Sequence, residues 1–276
     1  MGVKTMDLSI DPEETKAILT SFVKTYVQNA GSKSVVLGLS GGVDSAVTAL
    51  LCKEALGVKN VQCVFMPDET TPTADTRHQQ LLVKTFHLRC TTIDIAPFVH
   101  QFQVPHQRLK RITIANIKPR VRMILLYEIA NETGSMICGT SNKSEMLVGY
   151  FTKYGDGGVD FQPLGDLYKT QVCQLARHLK IPAPIIKKPP TAGLWVGQTD
   201  EKELRMNYAT LDRILYGLEL KLKDEEIQKA ADATQSQVDR IRTMRVKSQH
   251  KRRTPMVPKL GIRTPGIDWR SPVQEG

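Results

Sequence analysis

Ser34-Val35-Val36-Leu37-Gly38-Leu39-Ser40-Gly41-Gly42-Val43-Asp44-Ser45-Ala46-Val47-Thr48-Ala49-Leu50-Leu51-Cys52 decides the fold. A short β-branched run bounded by glycine passes through a glycine turn into a helix-forming apolar stretch, which stops at Gly57, placed as a helix C′ residue. The order is strand, glycine loop, helix. Such a loop suits anions, because unpaired backbone N–H groups and the positive end of the helix dipole point outward together. Glycines let the main chain approach an anion with no Cβ in the way. On glycines alone, a tight strand-to-helix turn without a ligand explains the segment equally well.

Outward from this segment the alternation repeats. Upstream, Asp11-Pro12-Glu13 opens a predicted helix over 11–29, with Ile18, Phe22, Val23, Tyr26 and Val27 at helical spacing. Downstream, 60–66 reads as a buried strand stopped by Pro67, 74–86 as a helix and 90–95 as a strand. Asn116 is placed as the cap of the next helix, with Pro119 in its first turn, Val121, Leu125 and Ile129 on its apolar face and Gly134 at its end. Met136-Ile137-Cys138-Gly139 is the following strand. Helices between strands require crossover connections, so the predicted fold class is α/β: a doubly wound, mainly parallel sheet with helices on both faces.

A C-terminal helical appendage follows the sheet. Residues 152–167, rich in Gly and Asp, read as a long functional loop, 168–179 as helix and 181–199 as an irregular proline-rich crossing. Asp200-Glu201-Lys202-Glu203 is a capping-box pattern predicted to lead one helix through Leu204, Tyr208, Leu211 and Leu215. Residues 209–247 look all-helical, Thr234 starts the last helix, and the tail from 254 has little regular structure. The expected division is 1–199 for the α/β core with its N-terminal helix, and 200–276 for a helical extension and tail closing over substrate.

The chain has 276 residues, enough for one large domain or a domain with an appendage at ~150 residues per domain. With 41% hydrophobic and 24% charged residues, it falls outside the collagen-like, mucin-like and disordered classes. The formal charge of +10 favours anionic partners. No apolar run approaches the ~18 residues of a membrane helix, and residues 1–15 lack a signal-peptide layout, so the expected location is cytoplasmic. Cys52, Cys63, Cys90, Cys138 and Cys173 are odd in number and contain no C-x-x-C pair, which argues against a disulfide framework or a zinc ribbon.

The loop's chemistry is narrower than its glycines. It contains neither G-x-x-x-x-G-K-[ST] nor G-x-G-x-x-G. Asp44 instead puts a carboxylate beside the phosphate cradle, which would repel a nucleotide unless a divalent cation, Mg2+, lies between them. S-G-G-x-D-S in this position resembles the signature of the N-type ATP pyrophosphatases, whose fold is the adenine nucleotide alpha hydrolase-like one and which cleave between the α and β phosphates of ATP.

Within that superfamily the chain resembles the ammonia-dependent NAD synthetases over nearly its whole length. The motifs, in order, are Asn116-Ile117-Lys118-Pro119-Arg120-Val121-Arg122-Met123, Gly139-Thr140-Ser141-Asn142-Lys143-Ser144-Glu145, the block from Gly149 to Asp160, Pro163 to Thr170, Pro190-Thr191-Ala192-Gly193-Leu194-Trp195 and Ser248-Gln249-His250-Lys251-Arg252. The resemblance implies a ligase of NAD biosynthesis that amidates deamido-NAD with ammonia through an acyl adenylate, releasing AMP and pyrophosphate, with no protein nucleophile. It implies ATP contacts at Gly38, Leu39, Ser40, Gly41, Gly42, Val43, Asp44, Ser45, Thr140, Lys169 and Thr191, and deamido-NAD contacts at Arg120, Lys153, Asp160, His250 and Lys251. Asp44 and Glu145 are the expected magnesium ligands, as hard oxygen donors on two strand ends. It also implies a homodimer, with free ammonia as donor because no segment is left for a glutaminase.

Each residue alone has a plainer explanation. Glu145 could be a dipole-favoured surface acid, Arg120 and Arg122 a solvated face, Lys153, Asp156 and Asp160 turn chemistry, and 250–253 a phosphate or nucleic-acid patch. Two rival functions are a tRNA-modifying ATP pyrophosphatase, which the scattered cysteines do not support, and an adenine-nucleotide-binding module without turnover, which leaves Glu145 and 153–160 without purpose.

Overall fold

The computed structural model describes residues 6–102, 109–195, 197–262 and 264. Residues 1–5, 263 and 265–276, on which parts of the leader and tail readings fall, lie outside the described residues.

Strands β1 (Val35–Gly38), β2 (Val61–Phe65), β3 (Cys90–Thr92) and β4 (Met136–Ile137) form one parallel sheet in the order β3-β2-β1-β4. Because strand side chains alternate, each strand feeds both faces. Val35, Leu37, Val61 and Cys63 join one core with α1 (Pro12–Asn29), α2 (Val43–Leu56) and α3 (Thr73–Phe86). Val36, Val64 and Ile137 join another with α4 (Ala96–Gln101) and α5 (Arg111–Thr133). After β4 come α6 (Lys143–Val148) and α7 (Lys169–His178), and α7 packs into the first core through Val172 and Leu175. The sheet is therefore covered on both sides, as the doubly wound reading requires.

The strand order also locates a crevice. From β1 the chain moves outward to β2 and β3, then returns to the opposite side of β1 as β4. Connections leave the carboxyl ends of β1 and β4 in opposite directions, which opens a cleft at that edge. The glycine loop follows β1 there, and Gly139-Thr140-Ser141-Asn142 follows β4.

Three sequence expectations need correction. α5 begins at Arg111, ahead of Asn116, and holds Pro119 in its interior rather than its first turn. A proline there forfeits one helix hydrogen bond, but the ring is buried and Gly155 packs against it, so tertiary contact outweighs local preference. The helix expected from Asp200 onward is two: α9 (Asp200–Leu204) stops at Arg205, whose φ is +60°, and Asn207 caps α10 (Tyr208–Glu219) by accepting from Thr210 N at 2.8 Å. Within the irregular crossing a single turn, α8 (Ala183–Ile186), forms, and α4 is an element the sequence reading lacked.

The C-terminal helices α10, α11 (Asp224–Ala231) and α12 (Gln235–Lys247) share a core built on Leu211, Ile214, Ile227, Val238 and Ile241. Val148 of α6 and Tyr168 belong to that core too, so the extension is packed on the helices that begin at the cleft. Asp212 of α10 is fully buried; it accepts from Ser144 Oγ at 2.5 Å and from Thr170 N at 2.8 Å, while Ser144 Oγ accepts from Lys169 N at 2.9 Å. One carboxylate thus fixes the starts of α6 and α7 together. All five cysteines are free, with Cys52, Cys63 and Cys138 buried. Among the described residues no helix is long and apolar enough to cross a membrane. Asp212→Ala strands two buried donors, and urea denaturation is expected to show a loss of about 2–4 kcal/mol.

Candidate active site

The loop after β1 is organised by its own hydroxyls. Ser40 Oγ lies 3.1 Å from Ser45 Oγ, Ser45 Oγ donates to Gly42 O at 3.0 Å, and Leu39 N donates to Val64 O at 2.9 Å. Gly41 has φ +81°, and a Cβ there would stand 2.5 Å from Asp75 O, so α3 can sit on the loop only if this residue is glycine. Gly42 caps α2 without a side chain, leaving the helix's first N–H groups open to a ligand. Gly38, Leu39, Ser40, Gly42, Val43, Asp44 and Ser45 line a cavity of about 450 Å³; Gly41 is the loop member tucked away from its wall.

Three helices start at this cavity, and each sends in one charged side chain. Asp44 lies in the first turn of α2, Glu145 in that of α6, and Lys169 is the first residue of α7. Lys169 Nζ donates to Asp44 Oδ2 and lies 3.4 Å from Glu145 Oε1. Asn142 caps α6 by accepting from Glu145 N at 3.1 Å, and its Nδ2 donates to Asp44 Oδ1 at 2.9 Å. The side chain of Lys169 is only 6% exposed. Burial works against its charge, but Asp44 and Glu145 overcome that and hold the ammonium proton well above the ordinary lysine range. Burial pushes Glu145 up to about 7, with Asp44 and Asp200 adding to the push and Lys169 opposing it.

Other residues on or just behind the wall of this cavity escaped the sequence reading. Tyr208 OH lies 3.1 Å from Asp200 Oδ2 and 3.4 Å from Glu145 Oε1, and Lys169 Nζ stands 5.2 Å from the centre of the Tyr208 ring. Tyr150 OH donates to Glu203 Oε2 at 2.7 Å. A buried set at the rim joins three segments: Lys118 Nζ lies 2.9 Å from Asp68 Oδ2 and donates to Thr70 Oγ1 at 2.7 Å and Leu194 O at 3.0 Å. The signal for Lys118 was present, since it lies inside the motif that carries Arg120. Asp200 and Tyr208 gave none, because in sequence they look like a helix cap and a core aromatic.

Of the remaining expected residues, Thr140, Thr191 and Lys251 are on the cavity wall. Lys251 Nζ donates to Gly149 O and Phe151 O, both at 2.7 Å, and Arg252 Nη1 reaches Met146 O and Leu147 O, both at 2.9 Å. These basic residues therefore tie the end of α12 to the end of α6. Arg120, Lys153, Asp160 and His250 are not on the wall. Arg120 Nη2 donates to Lys153 O at 3.3 Å, Asp160 Oδ2 accepts from Ile137 N at 2.7 Å, and Tyr127 OH is 3.4 Å from Asp160 Oδ1. Lys169→Met removes the cation that Asp44 and Glu145 both face; denaturation of the metal-free protein should show a loss of about 3–5 kcal/mol.

Comparison with known proteins follows the same lines. A family model described as NAD synthase matches residues 16–255. The NH(3)-dependent NAD(+) synthetase of Chlorobaculum tepidum is 40% identical over 268 residues, which is 97% of each chain. Among solved structures, the NMN synthetase from Francisella tularensis superposes with a TM-score of 0.81 at 30% identity, covering 91% of this chain and 100% of that one. The NH3-dependent NAD synthetase from Campylobacter jejuni, in complex with the nitrate ion, gives 0.78 at 30% identity, with the same coverage. With a sheet edge that opens a nucleotide-sized cleft and a match across most of its length, this chain belongs to the NAD synthase family.

Proposed function

We propose that this chain is a ligase that makes NAD from deamido-NAD, ATP and ammonia. The nicotinate carboxylate attacks the α phosphorus of ATP, forming an acyl adenylate and releasing pyrophosphate. Ammonia then attacks the activated carbonyl and AMP leaves with the bonding electrons. A free carboxylate is a poor acyl donor and its mixed anhydride a good one, so the protein's task is to hold two anions in line and neutralise their charge. The observation that carries this reading is the meeting of an open helix start, a glycine loop and paired carboxylates with one lysine in a single cleft.

The residues take the following parts. Gly38, Leu39, Ser40, Gly42, Val43, Asp44 and Ser45 cradle the triphosphate, Gly41 lets the loop take its bend, and Thr140 and Thr191 flank ATP from the wall. The ammonium of Lys169 offsets charge on the phosphates. Asp44 and Glu145 would hold Mg2+. Their hard oxygens suit it, and among the described residues no three His, Cys, Asp or Glu form a self-sufficient metal site, so phosphate oxygens would complete the set. When bound, such an ion supplies charge neutralisation on the phosphates.

Deamido-NAD contacts are assigned to Arg120, Lys153, Asp160, His250 and Lys251, with 200–276 acting as the part that closes over the core of 1–199. Arg120, Ile124 and Tyr127 share one face of α5, and Tyr26 OH donates to Asp160 O at 3.2 Å beside exposed Phe22. Ile124 is 52% exposed and Ile18 60% exposed, an apolar surface next to these polar residues. That surface supports a homodimer whose substrate site is completed near the subunit boundary. A second reading, formation of NMN by amidation of the mononucleotide, is favoured by the likeness to the Francisella tularensis protein.

Mixing enzyme, ATP, Mg2+ and deamido-NAD with ammonium should give NAD, AMP and pyrophosphate, and little product with glutamine alone; ADP and orthophosphate instead would refute the scheme. Running the deamido mononucleotide in parallel decides between the two acids by kcat/KM. Asp44→Asn should lower adenylation by about 100-fold or more while circular dichroism stays unchanged. Light scattering should give twice the 30.8 kDa chain mass, and Ile124→Glu should give the single-chain mass.

A further inference from the structure

We propose that Asp200, held by Tyr208, is a positioning residue that sets the charge of the cation site formed by Asp44 and Glu145; this rests on the reading of those two as cation ligands. Asp200 is 4% exposed and lines the same cavity. Its Oδ2 receives the Tyr208 hydroxyl at 3.1 Å, and its Oδ1 is buried with no hydrogen-bond partner among the described residues. Tyr150 stands beside it, but that hydroxyl is committed to Glu203 Oε2 at 2.7 Å. An isolated buried carboxylate oxygen is costly unless a positive charge lies near.

The charge count around Lys169 gives the oxygen its purpose. Asp44, Glu145 and Asp200 bring three formal negative charges against one ammonium, leaving a surplus of two. Asp212 also feels Lys169, yet both its oxygens are already hydrogen-bonded, to Ser144 and Thr170. Without Asp200 the surplus would be one. A third carboxylate beside the pair adds to the attraction for a divalent cation that the phosphates share.

Asp200 also places that charge. Its backbone N–H donates to Pro190 O at 3.0 Å, closing the 190–200 loop that carries Thr191. Tyr208 has one hydroxyl proton and two carboxylates in reach, Asp200 Oδ2 at 3.1 Å and Glu145 Oε1 at 3.4 Å. When Glu145 turns its oxygen to a cation, the proton has Asp200 to go to, so no acceptor is left competing for it. Outer hydrogen-bond partners of this kind commonly govern metal affinity.

The test is Mn2+ binding to the full chain, read by electron paramagnetic resonance with an α,β-methylene analogue of ATP present, together with melting of the metal-free protein. Asp200→Asn keeps an acceptor for Tyr208 and removes the charge. It should weaken Mn2+ about ten-fold without lowering the metal-free melting temperature, because a buried like-charge contact has gone. Tyr208→Phe, which keeps the ring, should also weaken Mn2+ several-fold. Affinity within two-fold of wild type in Asp200→Asn, or a lowered metal-free melting temperature, overturns the assignment. Asp44→Asn and Glu145→Gln serve as the control for the underlying site: if they retain Mn2+, that site reading fails, whereas if they lose it and Asp200→Asn does not, only the role of Asp200 fails.

Discussion

One ammonium holds the cleft together. Lys169 opens α7, where the helix dipole disfavours a cation, and it is nearly buried. It is retained because carboxylates at the starts of α2 and α6 face it, and those carboxylates are in turn favoured by their own helix starts. Three elements from distant parts of the chain are thereby held to one point. Removing Lys169 leaves two neighbouring buried carboxylates with no cation between them.

Around that point, polar residues do the joining and apolar ones the covering. Asp212 reaches from α10 to the starts of α6 and α7, Asn142 spans from the cap of α6 to Asp44, and Tyr208 links Asp200 to Glu145. The C-terminal helices are therefore part of the scaffold of the cleft. A site that holds polyanions needs donors which do not move when ligands arrive, and buried hydrogen-bonded networks provide that rigidity.

Much of this was legible in the residues. The glycine loop and the caps at Asp11 and Thr234 are local features that follow from local sequence, and the parallel sheet follows from helices long enough to serve as crossovers, although the strand order does not. The misreadings have physical causes. Pro119 inside α5 is accommodated by a contact from elsewhere, Gly155, and the break at Arg205 is followed at once by α10, whose buried face joins the C-terminal core. The apolar stripe of α1 was legible as a stripe, but of its expected members only Val23 and Val27 are buried, with Leu19 packing beside them, while Ile18, Phe22 and Tyr26 remain exposed.

By itself, the sequence determined the strand-loop-helix and the family, because each depends on residue types at short spacing. Only the tertiary structure decided that Lys169 answers both Asp44 and Glu145, that Lys251 and Arg252 serve the end of α6, and that Asp200 lines the cleft with Tyr208 hydrogen-bonded behind it. The reason is distance along the chain. Charges that lie far apart in sequence meet only after the sheet and its helices have packed, and their mutual attraction falls too steeply with separation to leave a trace in local pattern.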